Sequence, residues 1–308
     1  MQNLAPIALF VYNRPDHTRR TLSYLQKNLL AEDSRLFIFS DGAKTDADKA
    51  SVEEVRQIAA DVTGFKSVKV IARKQNMGLA NSIISGVTQL VNEYGKVIVF
   101  EDDLLSSSHT LRFFNDALIR YADNEDVMHI GAYMFDLKDK NLPETFFFRA
   151  AFSWGWATWA RAWKNFEPDI DKLMAQFDDE KVKQFSIDGT MNFWKQMQGF
   201  KAGKNNSWAI RWYASIFLKN GQTLNPRHSL IHNIGHDGSG VHSNIENMYQ
   251  VQIAQKAVKQ FPAIVQENEQ AYRAIKHFLK NRKGNLLQRG LRFFKQFGIK
   301  HLLKNNIY

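Results

Sequence analysis

Four short, uninterrupted apolar runs mark the first hundred residues: "PIALFVY" at 6–12, "RLFIF" at 35–39, "SVKVIA" at 67–72 and "KVIVF" at 96–100. Each has the length of a strand and is too uniformly apolar for a sheet edge, a pattern that predicts parallel strands covered on both faces. Between the runs, apolar residues recur at helical spacing over roughly 16–28, 48–62, 79–93 and 110–121. Strand and helix therefore alternate, which predicts an α/β half, doubly wound, over the first 130 residues. From about 131 to 245 the pattern changes to aromatic-rich segments, with all seven tryptophans between Trp154 and Trp212, and helical spacing then resumes to the end.

In a sheet of this kind, ligands bind at the carboxyl ends of the strands. Those ends carry "NRPD" (13–16), "SDG" (40–42), "RKQNMGLA" (73–80) and "EDD" (101–103), all polar and irregular. The three acids Glu101, Asp102 and Asp103 are the most informative, because an ordinary buried strand would end in a neutral turn. Mg²⁺ and Mn²⁺ take oxygen ligands, and Mg²⁺ is typically held by one or two carboxylates together with substrate phosphates. The competing explanation is that the acids merely open the next helix, although Ser106 to Ser108 already supply capping hydroxyls. Asp41 stands where a carboxylate can meet a nucleobase or ribose, or simply closes an Asp-Gly turn. Arg14, Arg73 and Lys74 are candidate diphosphate partners at strand ends. "NMGLANS", from Asn76, offers a glycine and backbone N–H groups opening a helix, without the spacing of a P-loop or of GxGxxG.

Composition narrows the chemistry. Cysteine is absent from the 308 residues, so carboxylates, histidines, hydroxyls and backbone must do the work, and a reducing compartment is expected. His228, His232 and His236 are spaced four apart, but Pro226, Gly235, Gly238 and Gly240 make a helix there improbable, so zinc is not expected. His242 ends the glycine-rich run "GHDGSGV", which is suited to folding over a diphosphate and bringing one imidazole to its metal. Among the tryptophans, core packing claims most; Trp154, Gly155 and Trp156 form a turn whose rings suit a sugar face.

The net charge of +10 is unevenly distributed. After Glu269 there are ten bases and no acid, whereas residues 1–269 carry 31 of each. From Leu286 onward, apolar residues recur at helical spacing among Arg and Lys, a pattern that fits a helix on an anionic membrane surface or one docked on the body. The N-terminal run is too short for a spanning helix and lacks a basic leader, and the expected location is cytoplasmic, peripheral on the inner face of the plasma membrane.

Taken in order, "ALFVYNRP", "FSDG", "ARKQNMGLANSIISGV", "VIVFEDDL", "FSWGWATWARAWKNFEPD" and "LIHNIGHDGSGVHS" resemble a GT-A-fold nucleotide-sugar glycosyltransferase, nearest the bacterial surface-polysaccharide transferases and more distantly the N-acetylglucosaminyltransferase I family. The likeness spans about residues 5–245. It implies a nucleotide-sugar-binding half at 1–130, an acceptor-side half of the same domain at 131–245 and a helical, basic extension at 246–308. It implies Mn²⁺ or Mg²⁺ on Asp103, with Glu101 and Asp102 beside it, and a donor, UDP-linked by the same resemblance, contacted by Asp41 and Arg14; Arg73, Asn76 and Ser239 are further donor-site candidates and His242 a second metal candidate from the residues themselves. The turn of Trp154, Gly155 and Trp156 would face sugar and acceptor, a glycan or lipid-linked glycan. Many relatives place an acid after the Trp of the segment matching "NSWAIRW", where this chain has Ala209. Asp237 is the first substitute as catalytic base, with Glu167 and Asp188 behind it. Two other classes compete: a metal-dependent phosphohydrolase or nucleotidyltransferase using the same acids, and a nucleic-acid-binding protein using the tail, against which the neutral body argues.

Overall fold

The computed structural model describes residues 3–236 and 249–281. Strands β1 (Ile7–Val11), β2 (Arg35–Ser40), β3 (Ser67–Ala72) and β4 (Lys96–Glu101) alternate with helices α1 (Pro15–Gln26), α2 (Lys49–Ala60) and α3 (Leu79–Tyr94). α1 begins with Pro15 in its first turn, where a missing N–H costs nothing, and buries Thr18, Thr21, Leu22 and Leu25 along one face. α3 stops at Gly95, whose φ of 77° lets the chain reverse directly into β4.

Beyond β4 come β5 (Leu104–Ser106), α4 (Thr110–Arg120), β6 (Val127–Gly131), β7 (Thr145–Phe148), β8 (Trp156–Trp159) and the short helices α5 (Ala160–Trp163), α6 (Ile170–Met174) and α7 (Asp179–Phe185). Then follow α8 (Phe193–Lys201), α9 (Trp208–Leu218), β9 (Gln222–Pro226), β10 (Ile231–Asn233) and α10 (Glu269–Asn281). One eight-stranded sheet runs in the order β3-β2-β1-β4-β8-β6-β9-β7, so it continues across residue 130. β1 pairs in parallel with β2 on one side and β4 on the other. β8 then enters antiparallel between β4 and β6.

Two expectations are corrected. β3 is the sheet's edge strand rather than a strand covered on both faces: Ser67, Lys69 and Ala72 are exposed, and Lys69 is the type of residue that blocks edge-to-edge pairing. Residues 249–268 contain no helix. They cross the body as an irregular strap, tied by Tyr133 Oη donating to Tyr249 O (3.2 Å), Tyr121 Oη to Pro262 O (2.7 Å) and Thr145 Oγ1 to Gln260 O (2.7 Å). Helix α10 follows, burying Ala271, Ile275 and Leu279 at four-residue spacing, with Phe278 stacked on Phe135. The basic amphipathic stretch beginning at Leu286 lies outside the described residues.

The aromatic half forms a second packed layer around β8. Trp156 is fully buried, its ring stacked on Trp208 (5.1 Å) and on His129 (5.3 Å). Trp212 Nε1–H donates to His129 Nδ1 (3.2 Å), which leaves Nε2–H to donate to Phe152 O (3.1 Å). His129 is thus neutral and doubly bonded, tying the loop before β8 to the sheet. Burial lowers its pKa to about 3, against a weaker opposing effect of the Phe152 carbonyl.

The unfolded ring protonates near 6.5, so between these values the unfolded chain binds more protons and stability falls as pH is lowered. His129→Gln is expected to remove that slope, at most about 1.4 kcal/mol per pH unit, from urea unfolding curves measured between pH 6.5 and 4. Parallel slopes in wild type and variant would show that the ring is not held neutral.

Candidate active site

The strand order places a crevice between β1 and β4, because the connection from β1 goes to one side of the sheet and β4 lies on the other. Such switch points are where ligands enter open α/β sheets. Arg14 leaves the end of β1 and the acids Glu101–Asp103 end β4, so the two segments flank the crevice. Arg14 Nη2 donates both to Asp102 and to Asp103 Oδ2, the latter at 3.0 Å. Asp102 is buried, and its backbone carbonyl accepts from Thr21 Oγ1 (2.7 Å), which anchors the acidic turn on α1.

Charge crowds here. Burial, then repulsion from Asp103 and Asp102, raises the Glu101 carboxyl to about 8. Burial also raises Asp102, to about 6, with the Arg14 guanidinium pulling the other way. Asp103 is the less buried of the two, 14% of its side chain being accessible against 6% for Asp102.

A second wall comes from β10, which pairs antiparallel with β5, immediately after the acids. Ile234 N–H donates to Asp103 O (2.9 Å), and Gly235 lies directly on the Asp103 carboxylate. A Cβ at 235 would overlap Asp103 Oδ2 and approach Arg14 Nη1 to 3.2 Å, so only glycine lets the backbone approach so closely. His236 follows, its ring 5.1 Å from that of Trp154 and 5.7 Å from Tyr249. Among the described residues, neither of its buried ring nitrogens has a hydrogen-bond partner.

Asp41, at the end of β2, is almost fully buried and accepts from the backbone N–H of Gly42 (2.9 Å), Met77 (2.9 Å) and Gly78 (2.9 Å). Asn76 Nδ2 donates to Gly42 O (2.8 Å). Together they hold the "QNMG" loop against the end of β2, where a Cβ on Gly42 would lie 2.5 Å from the Gln75 carbonyl carbon. Arg73 donates to Ser85 Oγ (2.8 Å) and lies over the Phe39 ring.

The other candidates separate. Trp154 is half-buried, edge-on to Tyr133 (4.5 Å). Trp156 is a correction: no face of it reaches solvent, because His129 and Trp208 stack on it within the core. Gly155, between them with φ 67°, packs against Ile231 of β10. Glu167 accepts from Asp169 N–H (2.9 Å), and Asp188 is ion-paired to Lys276 of α10, which lowers its pKa ahead of other influences. Among the described residues, no hydrogen bond or ion pair joins Glu167 or Asp188 to the acidic turn. Asp237, Ser239 and His242 lie outside the described residues. The Arg14 pair, the Gly235 contact and the burial of His236 were not anticipated from sequence; the only available signal for the first was that Arg14 and the acids end strands that prove to be neighbours.

The model for glycosyl transferase family 2 matches residues 7–163, just over half of the chain, and spans every strand that builds this crevice except β10. The chain belongs to glycosyl transferase family 2. It is a nucleotide-sugar glycosyltransferase of GT-A fold. No curated protein matches significantly. Similar solved structures include a mannosyltransferase of Pyrobaculum calidifontis in complex with GDP-Man and Mn²⁺, at 12% identity over 71% of this chain and 73% of that one (TM-score 0.39). They also include residues 1–349 of S. aureus TarS, at 14% identity over 74% of this chain and 60% of that one (TM-score 0.41), and a UDP-glucose pyrophosphorylase complexed with UDP-glucose, at 12% over 73% and 90% (TM-score 0.36). At such similarity none of them assigns a substrate.

Asp41→Ala would leave three N–H groups, one buried and two partly buried, without their acceptor. Urea unfolding should show a loss of about 3 kcal/mol; a loss within a few tenths would mean that water replaces the carboxylate at no cost.

Proposed function

We propose that the transferase moves a sugar from a nucleoside-diphosphate donor, UDP-linked by the sequence resemblance, to a glycan or lipid-linked glycan acceptor in bacterial surface-polysaccharide synthesis, and that it requires Mn²⁺ or Mg²⁺. The observation that carries this is the acidic turn at the β1/β4 crevice. Its donor set fits such a cation: Asp103 offers the less buried carboxylate, with Asp102 beside it. Among the described residues, no three His, Asp or Glu side chains are grouped to hold an ion by themselves. That suits a cation completed by the donor's own phosphates.

Asp103, supported by Asp102, would hold the ion, which when bound neutralises charge growing on the departing diphosphate. The chain's own residues supply the rest. Arg14 offers a guanidinium fork matched to phosphate oxygens. Asp41 and Asn76 keep the loop after β3 in place at the base-facing side, and Arg73 stands at the same strand end. Trp154, fixed edge-on by Tyr133 at the mouth, suits the sugar. Asp237 remains the candidate base, two residues beyond the Gly235 contact with Asp103, with Ser239 and His242 further along the sequence. Glu167 and Asp188 are weaker, because each is already engaged elsewhere. Among the described residues no helix is long and apolar enough to cross a membrane; the basic residues after Glu269 would bring the enzyme to an anionic inner-membrane surface, where lipid-linked acceptors reside.

Thermal unfolding with UDP-, GDP-, dTDP- and CMP-linked sugars, each with Mn²⁺ or EDTA, tests the donor site. One nucleotide series should raise Tm only with metal, by an amount corresponding to about 2.7 kcal/mol at a hundredfold excess over Kd, and Asp103→Asn should abolish the rise. Stabilisation that persists in EDTA or in Asp103→Asn would remove the metal from the account.

A further inference from the structure

We infer that Arg14 is the resident counter-ion of the acidic turn and exchanges its guanidinium between Asp103 and the donor's diphosphate, so that divalent cation and nucleotide bind as a coupled pair. The inference rests on the metal-dependent reading above and adds to it an order and a cause.

Two adjacent carboxylates share one guanidinium nitrogen: Arg14 Nη2 donates to Asp102 and to Asp103 Oδ2. Asp103 Oδ2 belongs to the less buried carboxylate, the one that a cation would need. Cation and guanidinium therefore compete for the same carboxylate, and their like charges oppose simultaneous occupation at short range. Asp102 is buried, so it keeps a strong demand for a positive partner whichever cation is present. A cation arriving alone must displace Arg14 with nothing to receive it. A diphosphate changes the balance, because its oxygens accept the guanidinium fork at least as well as carboxylates do.

The backbone supports a movement confined to the side chain. Arg14 O accepts from Thr18 N–H (3.0 Å) and from Thr18 Oγ1 (2.9 Å), and Pro15 fixes the next residue at the start of α1. The Arg14 side chain is still 20% accessible, at the crevice mouth. Gly235 packs on both partners of the ion pair, so the wall built by β10 is in contact with the groups that exchange.

The test is Mn²⁺ binding, read from the electron paramagnetic resonance signal of the free ion, for wild type, Arg14→Gln and Arg14→Lys, each alone and with UDP or GDP. In wild type the nucleotide should tighten Mn²⁺ binding about tenfold, a typical coupling between sites. Arg14→Gln should bind Mn²⁺ alone about tenfold more tightly than wild type, with the nucleotide's enhancement reduced towards none. Should loss of the buried pair prevent Arg14→Gln from folding, Arg14→Lys carries the test: a compact ammonium bridges two carboxylates less well, so Mn²⁺ binding alone should shift in the same direction by a smaller factor. Equal or weaker Mn²⁺ binding in the folded variants, with the nucleotide effect intact, overturns the exchange while leaving the metal site standing. If no variant, wild type included, binds Mn²⁺ with or without either nucleotide, the metal-dependent reading itself is overturned, and the exchange with it.

Discussion

Compensation of the charge at the end of β4 is the constraint on which the site depends. Three consecutive acids at the mouth of a buried strand would repel one another and resist desolvation. Arg14 from the neighbouring strand supplies the positive partner, and the partner is available only because β1 and β4 lie side by side at the switch point of the sheet. Removing either side would leave a buried charge unpaired, which costs far more than an exposed ion pair yields. On the proposed exchange, a turn already balanced by a guanidinium would gain most from a ligand that brings both a cation and a set of phosphate oxygens.

The aromatic half serves this arrangement from behind. β8 inserts antiparallel against β4, and its Trp156 stacks on His129 and on Trp208 of α9. Through Phe152 O, His129 fixes the loop that leads to Trp154, and Gly155 then packs on Ile231 of β10, the strand that walls the acidic turn. Packing in the core, the position of Trp154 and the approach of Gly235 to Asp103 are thus one continuous structure. Beyond it, the strap and α10 are held by the ion pairs of Arg149 with Glu267 and of Asp188 with Lys276, which accounts for Asp188 as a fastening of the C-terminal helix.

Much of this was legible in the sequence, for identifiable reasons. Continuous apolar runs marked β1, β2 and β4 because those strands are covered on both faces, and their polar ends marked Arg14, Asp41 and the acids. The same rule misplaced β3, since four apolar residues in six cannot reveal which strand lies at an edge. For Trp156, a glycine beside two large rings suggests an exposed turn that suits a sugar; only the three-dimensional stack shows that this ring points into the core. The bonds of Asp41 to Met77 and Gly78 and the contact of Gly235 with Asp103 join segments 36 and 132 residues apart in sequence, and no local pattern encodes them. Helical spacing after 246 failed in the strap, where side-chain anchoring to the body outweighs local preference.

The central claim is that the acidic turn at the β1/β4 crevice holds a metal-bound nucleoside diphosphate. The most direct measurement is anomalous diffraction at the manganese edge from crystals grown with Mn²⁺ and a nucleoside diphosphate. The account predicts a manganese peak within coordination distance of Asp103 and beside the nucleotide's phosphates, with Arg14 turned from the carboxylates towards them. A nucleotide bound with no manganese at Asp103, or manganese bound only elsewhere on the chain, would contradict it.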